Sequence, residues 1–186
     1  MGKNLKHLNL SAVVIETERL KIVPISMQWK IDIFHEFTSE ITTYMYPAPA
    51  KHSSDTEKFI KESMIGLANG TDLQLVILKK NTDEFLGCAG LHEPHTKHPE
   101  LGVWVKKSAH RNGYGREAMT AIKEWADENI DYEYILYPVD RDNITSRKIP
   151  ESLGGEIVDS YDKTNESGKI LHTIVYHIPP STDIHS

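Results

Sequence analysis

The segment Trp104-Val-Lys-Lys-Ser-Ala-His-Arg-Asn-Gly-Tyr-Gly-Arg-Glu-Ala118 joins the end of an apolar strand to the start of an amphipathic helix through a short basic loop. The first backbone N–H groups of a helix have no intrahelical acceptor, and the positive end of the helix dipole lies there. Glycines at positions 113 and 115 allow an anion to approach the backbone closely, because neither carries a Cβ. The segment therefore predicts a binding site for a phosphate or a pyrophosphate.

Four cations surround these glycines in a chain whose formal net charge is −6, namely Lys106, Lys107, Arg111 and Arg116. They favour an anionic ligand, but a G-x-G at a helix start is also found in ordinary tight turns. Neither G-x-x-x-x-G-K-[ST] nor G-x-G-x-x-G occurs in the chain. Nucleotide hydrolysis and dinucleotide binding are therefore disfavoured.

The composition is that of an ordinary soluble domain, with 186 residues, 39 % of them hydrophobic and 26 % charged. No apolar run approaches the ~18 residues that a membrane span needs. The acidic net charge disfavours a broad nucleic-acid-binding face. The single cysteine, Cys88, lies in an apolar run, which favours a buried thiol over a nucleophile. We expect a cytoplasmic protein without membrane or nucleic-acid partners.

Hydrophobic periodicity predicts the order strand, two helices, three strands, helix, strand, helix and two strands. Hairpins and crossover helices both occur, so the sheet must be mixed. The predicted fold class is α/β of the α+β type, with about seven strands flanked by helices. The predicted strands are 13–25, 73–80, 85–91, 100–106, 134–139, 157–161 and 171–178, and the clearest helix is 113–129.

His110-Arg-Asn-Gly-Tyr-Gly115 resembles the Q/R-x-x-G-x-G/A acyl-CoA motif of the GNAT N-acetyltransferase superfamily. The branch it resembles contains the ribosomal-protein N-terminal (Rim-type) acetyltransferases. Four ordered segments carry the resemblance: Glu16-Thr-Glu-Arg-Leu20, Glu100-Leu-Gly-Val-Trp-Val105, Gly113-Tyr-Gly-Arg-Glu-Ala118, and Asn143-Ile-Thr-Ser146 with Leu153-Gly154. The likeness implies a single GNAT-like domain over residues 1–186, with a core from 15 to 178 and short tails.

Three residues depart from the pattern of that branch. His110 stands where the wider superfamily often has Gln or Arg, and Gly155 stands where a large apolar residue is usual. Pro150 lies inside the expected helix after Ser146, so that helix is expected to be kinked or short.

The resemblance implies a mostly antiparallel sheet that splays between the fourth and fifth predicted strands. It also implies acetyl-CoA as cofactor, held where these two strands separate. Pantetheine would pair with the exposed edge of the fourth strand as an additional strand. The cofactor-binding residues that it implies are Val103, Trp104 and Val105 on the strand, Arg111, Asn112, Gly113, Tyr114, Gly115 and Arg116 in the loop and helix start, and Asn143 and Ser146 downstream.

The resemblance also implies catalytic roles. Glu100 opens the central strand and is the best candidate for the base that deprotonates the acceptor, with Asp140 and Glu93 as weaker candidates. Ser146 would protonate the leaving thiolate. Tyr44 and Tyr46 lie in the connection that would cover the acceptor site and are candidate substrate contacts.

A metal centre is not expected. His92, His95 and His98 occur close to Glu93, but their spacing matches no strong zinc pattern. Pro94 and Pro99 instead indicate a solvated loop around them.

The function that these observations predict is acetyl transfer from acetyl-CoA to a primary amine, by direct attack in a ternary complex. The acceptor would be a protein N-terminus or a small-molecule amine. Two alternatives remain open at this stage: a non-catalytic acyl-CoA-binding module, and a phosphate-anchored binding protein unrelated to CoA. Because dimers are common in the family, the resemblance also suggests a homodimer.

Overall fold

The computed structural model describes residues 8–182. Twelve regular elements follow one another along this part of the chain: β1 (Ile15–Glu16), β2 (Leu20–Pro24), α1 (Lys30–Glu36), α2 (Ser53–Asn69), β3 (Asp72–Lys79), β4 (Phe85–His92), β5 (Glu100–Val105), α3 (Tyr114–Asn129), β6 (Ile135–Asp140), α4 (Ile144–Ser152), β7 (Glu156–Thr164) and β8 (Ile170–Ile178). None of these helices is both long enough and apolar enough to cross a membrane.

The strands form one open sheet in the order β1-β2-β3-β4-β5-β6-β8-β7. All neighbouring strands are antiparallel except β5 and β6, so the predicted mixed, mostly antiparallel sheet is confirmed. The described residues contain one strand more than predicted, because the first predicted strand turns back on itself at Thr17–Arg19. Ile15 then pairs with Ile22 across this tight turn.

The sheet separates between β5 and β6, which confirms the splay between the fourth and fifth predicted strands. These strands share a single partner pair, Glu100 with Leu136, whereas β4 and β5 pair along their whole length from Gly87–Val105 to His92–Glu100. Beyond Glu100, one edge of β5 therefore has no strand beside it. Such an edge presents unpaired N–H and C=O groups to whatever lies there.

The core lies on both faces of the central strands, since β3 and β4 are buried along nearly their full length. The buried face of α2 is formed by Ile60, Ser63 and Leu67, whereas Phe59 and Met64 are exposed by 43 % and 42 %. Periodicity predicts one stripe of Phe59, Ile60, Met64 and Leu67 on this helix. Ile60 and Leu67 are buried as predicted, whereas the prediction is wrong for Phe59 and Met64. The helix approaches the sheet closely at Gly66, where an added Cβ would lie 2.8 Å from the Cβ of Asp72.

Pro150 lies in the last turn of α4, and the helix ends two residues later. The carbonyl of Pro150 accepts hydrogen bonds from the N–H groups of Leu153 and Gly155, at 3.1 and 2.8 Å. A Cβ on Gly155 would lie 2.8 Å from that same carbonyl oxygen. The unusual glycine and the short helix are therefore one feature, because the tight turn after α4 leaves no room for a side chain.

Candidate functional site

The loop between β5 and α3 is held in shape by its own side chains. The Nδ2 of Asn112 donates to the carbonyls of Ala109 and His110, both at 3.0 Å. His110 Nε2 lies 2.7 Å from the carbonyl oxygen of Val105. Gly113 is the N-cap of α3 with φ of 74°, in the left-handed region that favours glycine. The predicted glycine loop and helix start are thus observed, and hydrogen bonds of Asn112 and His110 hold the loop together.

The backbone of this loop presents a row of free donors. Within residues 8–182, no protein acceptor takes a hydrogen bond from the N–H groups of residues 111–116. The side chains of Arg111 and Arg116 are exposed beside them. Free N–H groups at the positive end of a 16-residue helix form a site for an anion.

The two glycines of the loop are not equivalent. The left-handed backbone conformation at Gly113 favours glycine, and a Cβ there would approach only Arg19. A Cβ on Gly115 would make ordinary contacts, 3.7 Å from Val105 Cγ2 and 3.8 Å from Ile149 Cδ1. The protein itself would therefore tolerate alanine at 115, which refines the role predicted for that glycine.

The helix start is tied to the first hairpin of the chain. Glu117 accepts hydrogen bonds from Thr17 Oγ1 at 2.5 Å and from Arg19 Nε at 2.7 Å. The guanidinium of Arg19 also lies over the ring of Tyr114, 4.7 Å from its centroid. The T-x-R-L segment thus has a structural role, because it fixes the first turn of α3 against the sheet.

The open edge of β5 runs from this loop into the molecule. The N–H of Lys106 donates to the carbonyl of Leu86 in β4. The backbone N–H and C=O groups of successive strand residues point to opposite sides, so those of Val103 and Val105 point away from β4 towards the gap. The carbonyl of Val105 is occupied by His110. Trp104, by the same alternation, turns its backbone to β4. Val103 and the N–H of Val105 are therefore the groups free to pair with an extended ligand.

Across the gap, β6 and α4 present the predicted Asn143–Ser146 pair. Asn143 caps α4, with its Oδ1 accepting from the N–H of Ser146 at 3.3 Å. Ser146 Oγ lies 2.8 Å from the hydroxyl of Tyr137, which the sequence did not single out. Burial raises the pKa of Tyr137 to about 12, so this hydroxyl keeps its proton at neutral pH. A hydrogen-bonded hydroxyl pair thus stands on the far side of the splay.

A cavity of about 760 Å³ opens on the face of the sheet covered by α1 and α2. Its floor is β3 to β5, and Pro47–Ala50 close one side. Four aromatic residues give it apolar walls: Phe34, Phe37, Phe59 and Trp104. Because Val103 also lines it, the cavity meets the open edge of β5. A ligand along that edge and a second ligand in the cavity would touch.

Tyr44 and Tyr46 lie outside the lining of this cavity. Their rings instead face lysines of the β7–β8 hairpin, with Lys169 Nζ 4.4 Å from the Tyr44 centroid and Lys163 Nζ 3.9 Å from the Tyr46 centroid. The neighbouring residue Met45 does reach the cavity. The two tyrosines thus hold the cavity's cover against the hairpin rather than lining it.

The three carboxylates predicted as bases have different surroundings. Glu100 is half-buried at the start of β5, and burial raises its pKa although a positive charge on His92 would oppose this. Asp140 is buried, and its oxygens accept from the N–H groups of Asp142 and His172 at 2.8 and 2.9 Å. Glu93 is exposed. Asp140 therefore holds a turn, and Glu100 lies on β5 directly opposite His92 of β4.

His92 belongs to β4 and not to the predicted loop. Its Nδ1 lies 2.8 Å from Oδ1 of Asp72, and its side chain lines the cavity. No group of three or more His, Cys, Asp or Glu side chains among residues 8–182 is arranged to hold a metal ion. The sequence did not reveal the pair of His92 and Asp72, because the predicted strand ended at Leu91. The feature that could have indicated it is Asp72, an acidic residue at the start of β3, the preceding strand.

A splayed strand edge that joins a helix start with free N–H groups to a cavity of about 760 Å³ has the features expected of an acyl-CoA-dependent acyltransferase. Residues 19–156 match the acetyltransferase (GNAT) domain family. The chain therefore belongs to the GNAT acetyltransferase family, whose acetyl donor is acetyl-CoA.

Solved acetyltransferase structures share this fold at low sequence identity. A ribosomal L7/L12 alpha-N-protein acetyltransferase, RimL, in complex with coenzyme A superposes with a TM-score of 0.81 and 14 % identity, over 92 % of this chain and 100 % of its own. A Salmonella typhimurium acetyltransferase that modifies the N-terminal serine of L7/L12 gives 0.74 and 13 %, over 89 % and 97 %. The microcin C7 self-immunity acetyltransferase MccE with acetyl-CoA and AMP gives 0.75 and 18 %, over 88 % and 93 %. No curated protein sequence matches the chain.

Proposed function

We propose that this protein transfers the acetyl group of acetyl-CoA directly to a primary amine in a ternary complex. The observation that carries the proposal is the open edge of β5, which meets the free N–H groups of residues 111–116 at one end and the cavity at the other. Side chains alternate along β5: the side chain of Val103 faces Gly115 of α3, although the residue also borders the cavity, whereas the side chain of Trp104 lies on the cavity face. Donor and acceptor would therefore reach the same strand from opposite faces.

The residues present fit the donor. The N–H groups of Arg111 to Arg116 would receive the pyrophosphate, with Gly113 giving the loop its left-handed turn. The backbone of Val103 and Val105 would pair with the pantetheine amides. Asn143 would contact the arm and Ser146 the sulfur. Acetyl-CoA supplies the activated thioester, and the chain supplies binding, orientation and proton transfer.

The chemistry requires a neutral amine, because an ammonium has no lone pair. A lysine-like amine of pKa ~10.4 is neutral at pH 7 in only about one molecule in a few thousand, and an α-amino group of pKa ~7.7–8.0 in about one in ten. A proton acceptor beside the amine therefore speeds the reaction, and among the three carboxylates predicted as bases Glu100 is the one opposite the cavity-lining His92. The N–H of Val103 would stabilise the oxyanion, and Ser146 would protonate the thiolate.

The acceptor is proposed to be a protein N-terminus or a small-molecule amine with an apolar neighbour. The aromatic walls of the cavity favour an apolar group beside the amine. The solved acetyltransferases named for L7/L12 act on a protein N-terminus, which supports that acceptor class for this chain as well. We further propose that the chain is one domain that works in the cytoplasm and forms a homodimer.

A turnover screen tests this function. Purified protein is mixed with acetyl-CoA and a panel of amines: peptides with apolar, polar and acidic N-terminal residues, polyamines, amino acids and arylalkylamines. Thiol release is the readout. Release that depends on an amine supports the enzyme, and the rate order among acceptors identifies its class. Tight CoA binding without turnover on any amine would favour the binding module, and equal competition by ATP would favour a general phosphate site.

A further inference from the structure

Three ionisable side chains lie side by side across three neighbouring strands. Asp72 of β3 is directly opposite His92 of β4, and His92 is directly opposite Glu100 of β5. Directly opposite residues of antiparallel strands point to the same face, with Cβ atoms ~4.5–5.5 Å apart. His92 lines the cavity, so the whole row lies on the cavity side of the sheet.

The hydrogen bond to Asp72 fixes which nitrogen of His92 is available. Asp72 Oδ1 lies 2.8 Å from Nδ1, and a carboxylate only accepts, so Nδ1 carries the hydrogen. In the neutral ring, Nε2 is then an acceptor with a free lone pair. Within residues 8–182, Nε2 of His92 makes no hydrogen bond to the protein. The imidazole is therefore oriented as a base, with its lone pair unused.

The free nitrogen lies where a substrate amine would stand. The next row of the sheet contains two glycines, Gly90 opposite Gly102, and the ring of His92 extends over them. A Cβ on Gly90 would lie 3.1 Å from Nε2 and 2.8 Å from Cε1, and one on Gly102 would lie 3.6 Å from Nε2. Both glycines line the cavity, and Gly102 precedes Val103, where the thioester carbonyl would bind.

We propose that His92 is the proton acceptor for the attacking amine, with Asp72 as its positioning residue, and this inference rests on the proposed function. Nε2 takes one proton from the acceptor ammonium, and the freed lone pair forms the N–C bond to the thioester carbonyl. The C–S bond breaks, and the thiolate takes a proton from Ser146. The second proton of the nitrogen restores the Ser146 hydroxyl, so one proton leaves on His92 and one on the thiol.

The charges around His92 suit this role. Burial alone would lower the pKa of His92, but the bonded Asp72 and the carboxylates of Glu100 and Glu93 raise it above its usual value. The other charged groups that line the cavity, from the connection before α2, from α2 and from the β7–β8 turn, are Lys51, Asp55 and Glu166. An imidazole whose Nε2 lone pair is free and whose protonated form is stabilised by nearby carboxylates is suited to accept a proton from the substrate amine.

Glu100 fits a supporting role better than direct proton transfer. It does not line the cavity, whereas His92 does. On its other side Glu100 lies near Tyr161 and Lys163 of β7. The charge of Glu100 contributes to raising the pKa of Tyr161, and the charge of Lys163 acts to lower the pKa of Glu100. Glu100 therefore acts through its negative charge, which stabilises the protonated form of His92.

The test compares two histidine–aspartate pairs of the same geometry. His92→Gln removes the proposed base, and His172→Gln removes a histidine whose Nδ1 lies 2.7 Å from Asp162, away from the cavity. We expect His92→Gln to lower kcat/KM for the amine about 100-fold at pH 7 and to remove the acid limb of its pH profile, with KM for acetyl-CoA unchanged. His172→Gln should keep both the wild-type kcat/KM for the amine and the acid limb of its pH profile. Asp72→Asn should shift the acid limb to lower pH.

A second measurement does not depend on how the variants fold. The imidazole resonances of the wild-type protein are titrated by NMR, and the pKa of His92 is compared with the acid limb of kcat/KM. Agreement supports the assignment, and a limb at a different pH overturns it. An unchanged pH profile in His92→Gln overturns this inference alone, because wild-type turnover would still stand. A wild-type protein that acetylates no amine overturns the proposed function together with it.

Discussion

Arg19 Nε lies 2.7 Å from Glu117 Oε1 and joins the first hairpin of the chain to the first turn of α3. Thr17 bonds the other oxygen of the same carboxylate, and the N–H of Arg19 does so at 3.2 Å. The N–H groups that would bind the pyrophosphate start this helix. The hairpin therefore sets the position of the anion site, although it contributes no donor to it.

Glu117→Gln tests this connection. Losing charged hydrogen bonds that are partly screened by solvent should lower the free energy of unfolding by about 1 kcal/mol at pH 7. Burial would raise the pKa of Glu117, but its bonds to Thr17 and Arg19 hold that pKa below its usual value. The stabilisation is therefore present above the unfolded-state pKa and is lost as the pH falls through the lowered folded-state pKa.

Urea unfolding at pH 7 and at about pH 3.5 measures this difference. The gap between wild type and Glu117→Gln should shrink at the lower pH. Glu124→Gln, on the exposed side of the same helix, is the control and should change little at either pH. A gap that is absent at pH 7, or equal at both pH values, would contradict the proposed link.

Gly113→Asp and Gly113→Asn separate charge from shape at the loop. Both residues tolerate the left-handed conformation at this N-cap and are nearly equal in size. Only the aspartate repels an anion, so its KM for acetyl-CoA should exceed that of the asparagine variant at least about tenfold, or ~1.4 kcal/mol. The difference in KM between the aspartate and asparagine variants should become smaller at high salt, because salt screens the repulsion. Equal KM values in two folded variants would show that no anion binds here.

Ser146→Ala should slow the chemical step rather than weaken binding. The alanine keeps the N–H that Asn143 accepts, so α4 should retain its cap. We expect the single-turnover rate to fall by about 100-fold, as for the loss of a general acid. Tyr137→Phe, which removes only the partner hydroxyl, should have a smaller effect. A single-turnover rate that is unchanged in Ser146→Ala would assign thiolate protonation to water.

Glu100→Gln distinguishes direct from supporting catalysis. The charge of Glu100 helps to raise the pKa of His92, so removing it should lower that pKa. Since His92 must be neutral to accept a proton, the acid limb of kcat/KM should move to lower pH. Activity well above the limb should stay within about tenfold of wild type. A loss of about 100-fold across the whole range would instead identify Glu100 as the base.

Local patterns were sufficient for the elements that carry the cofactor site. The helix after Gly113 and the strand at Glu100–Val105 have clear periodicity, and the glycine spacing marks the start of α3. The separation of the two strands was predicted only from the family resemblance, because no local sequence pattern indicates where two strands separate. The role of Glu117 was likewise invisible, since its partners lie about 100 positions away in the chain.

The acceptor side was harder to predict for the same reason. Asp72, His92 and Glu100 come from three strands, and only the register of the sheet places them in one row. Ending the predicted strand at Leu91 instead of His92 moved the histidine into a loop and suggested a solvated side chain. Phe59 was assigned to the core because it is apolar, whereas it lines the cavity. Strand ends and cavity walls depend on tertiary packing, which periodicity does not report.

A single-turnover transfer experiment tests the central claim most directly. Protein in excess over acetyl-CoA with a labelled acetyl group is mixed with the best acceptor amine, and protein and acceptor are analysed by mass spectrometry. Direct transfer predicts that the label appears on the acceptor amine, and that the protein carries none when the acceptor is omitted. A labelled Ser146 or Cys88, or an unlabelled amine after CoA has been released, would contradict acetyl transfer within a ternary complex.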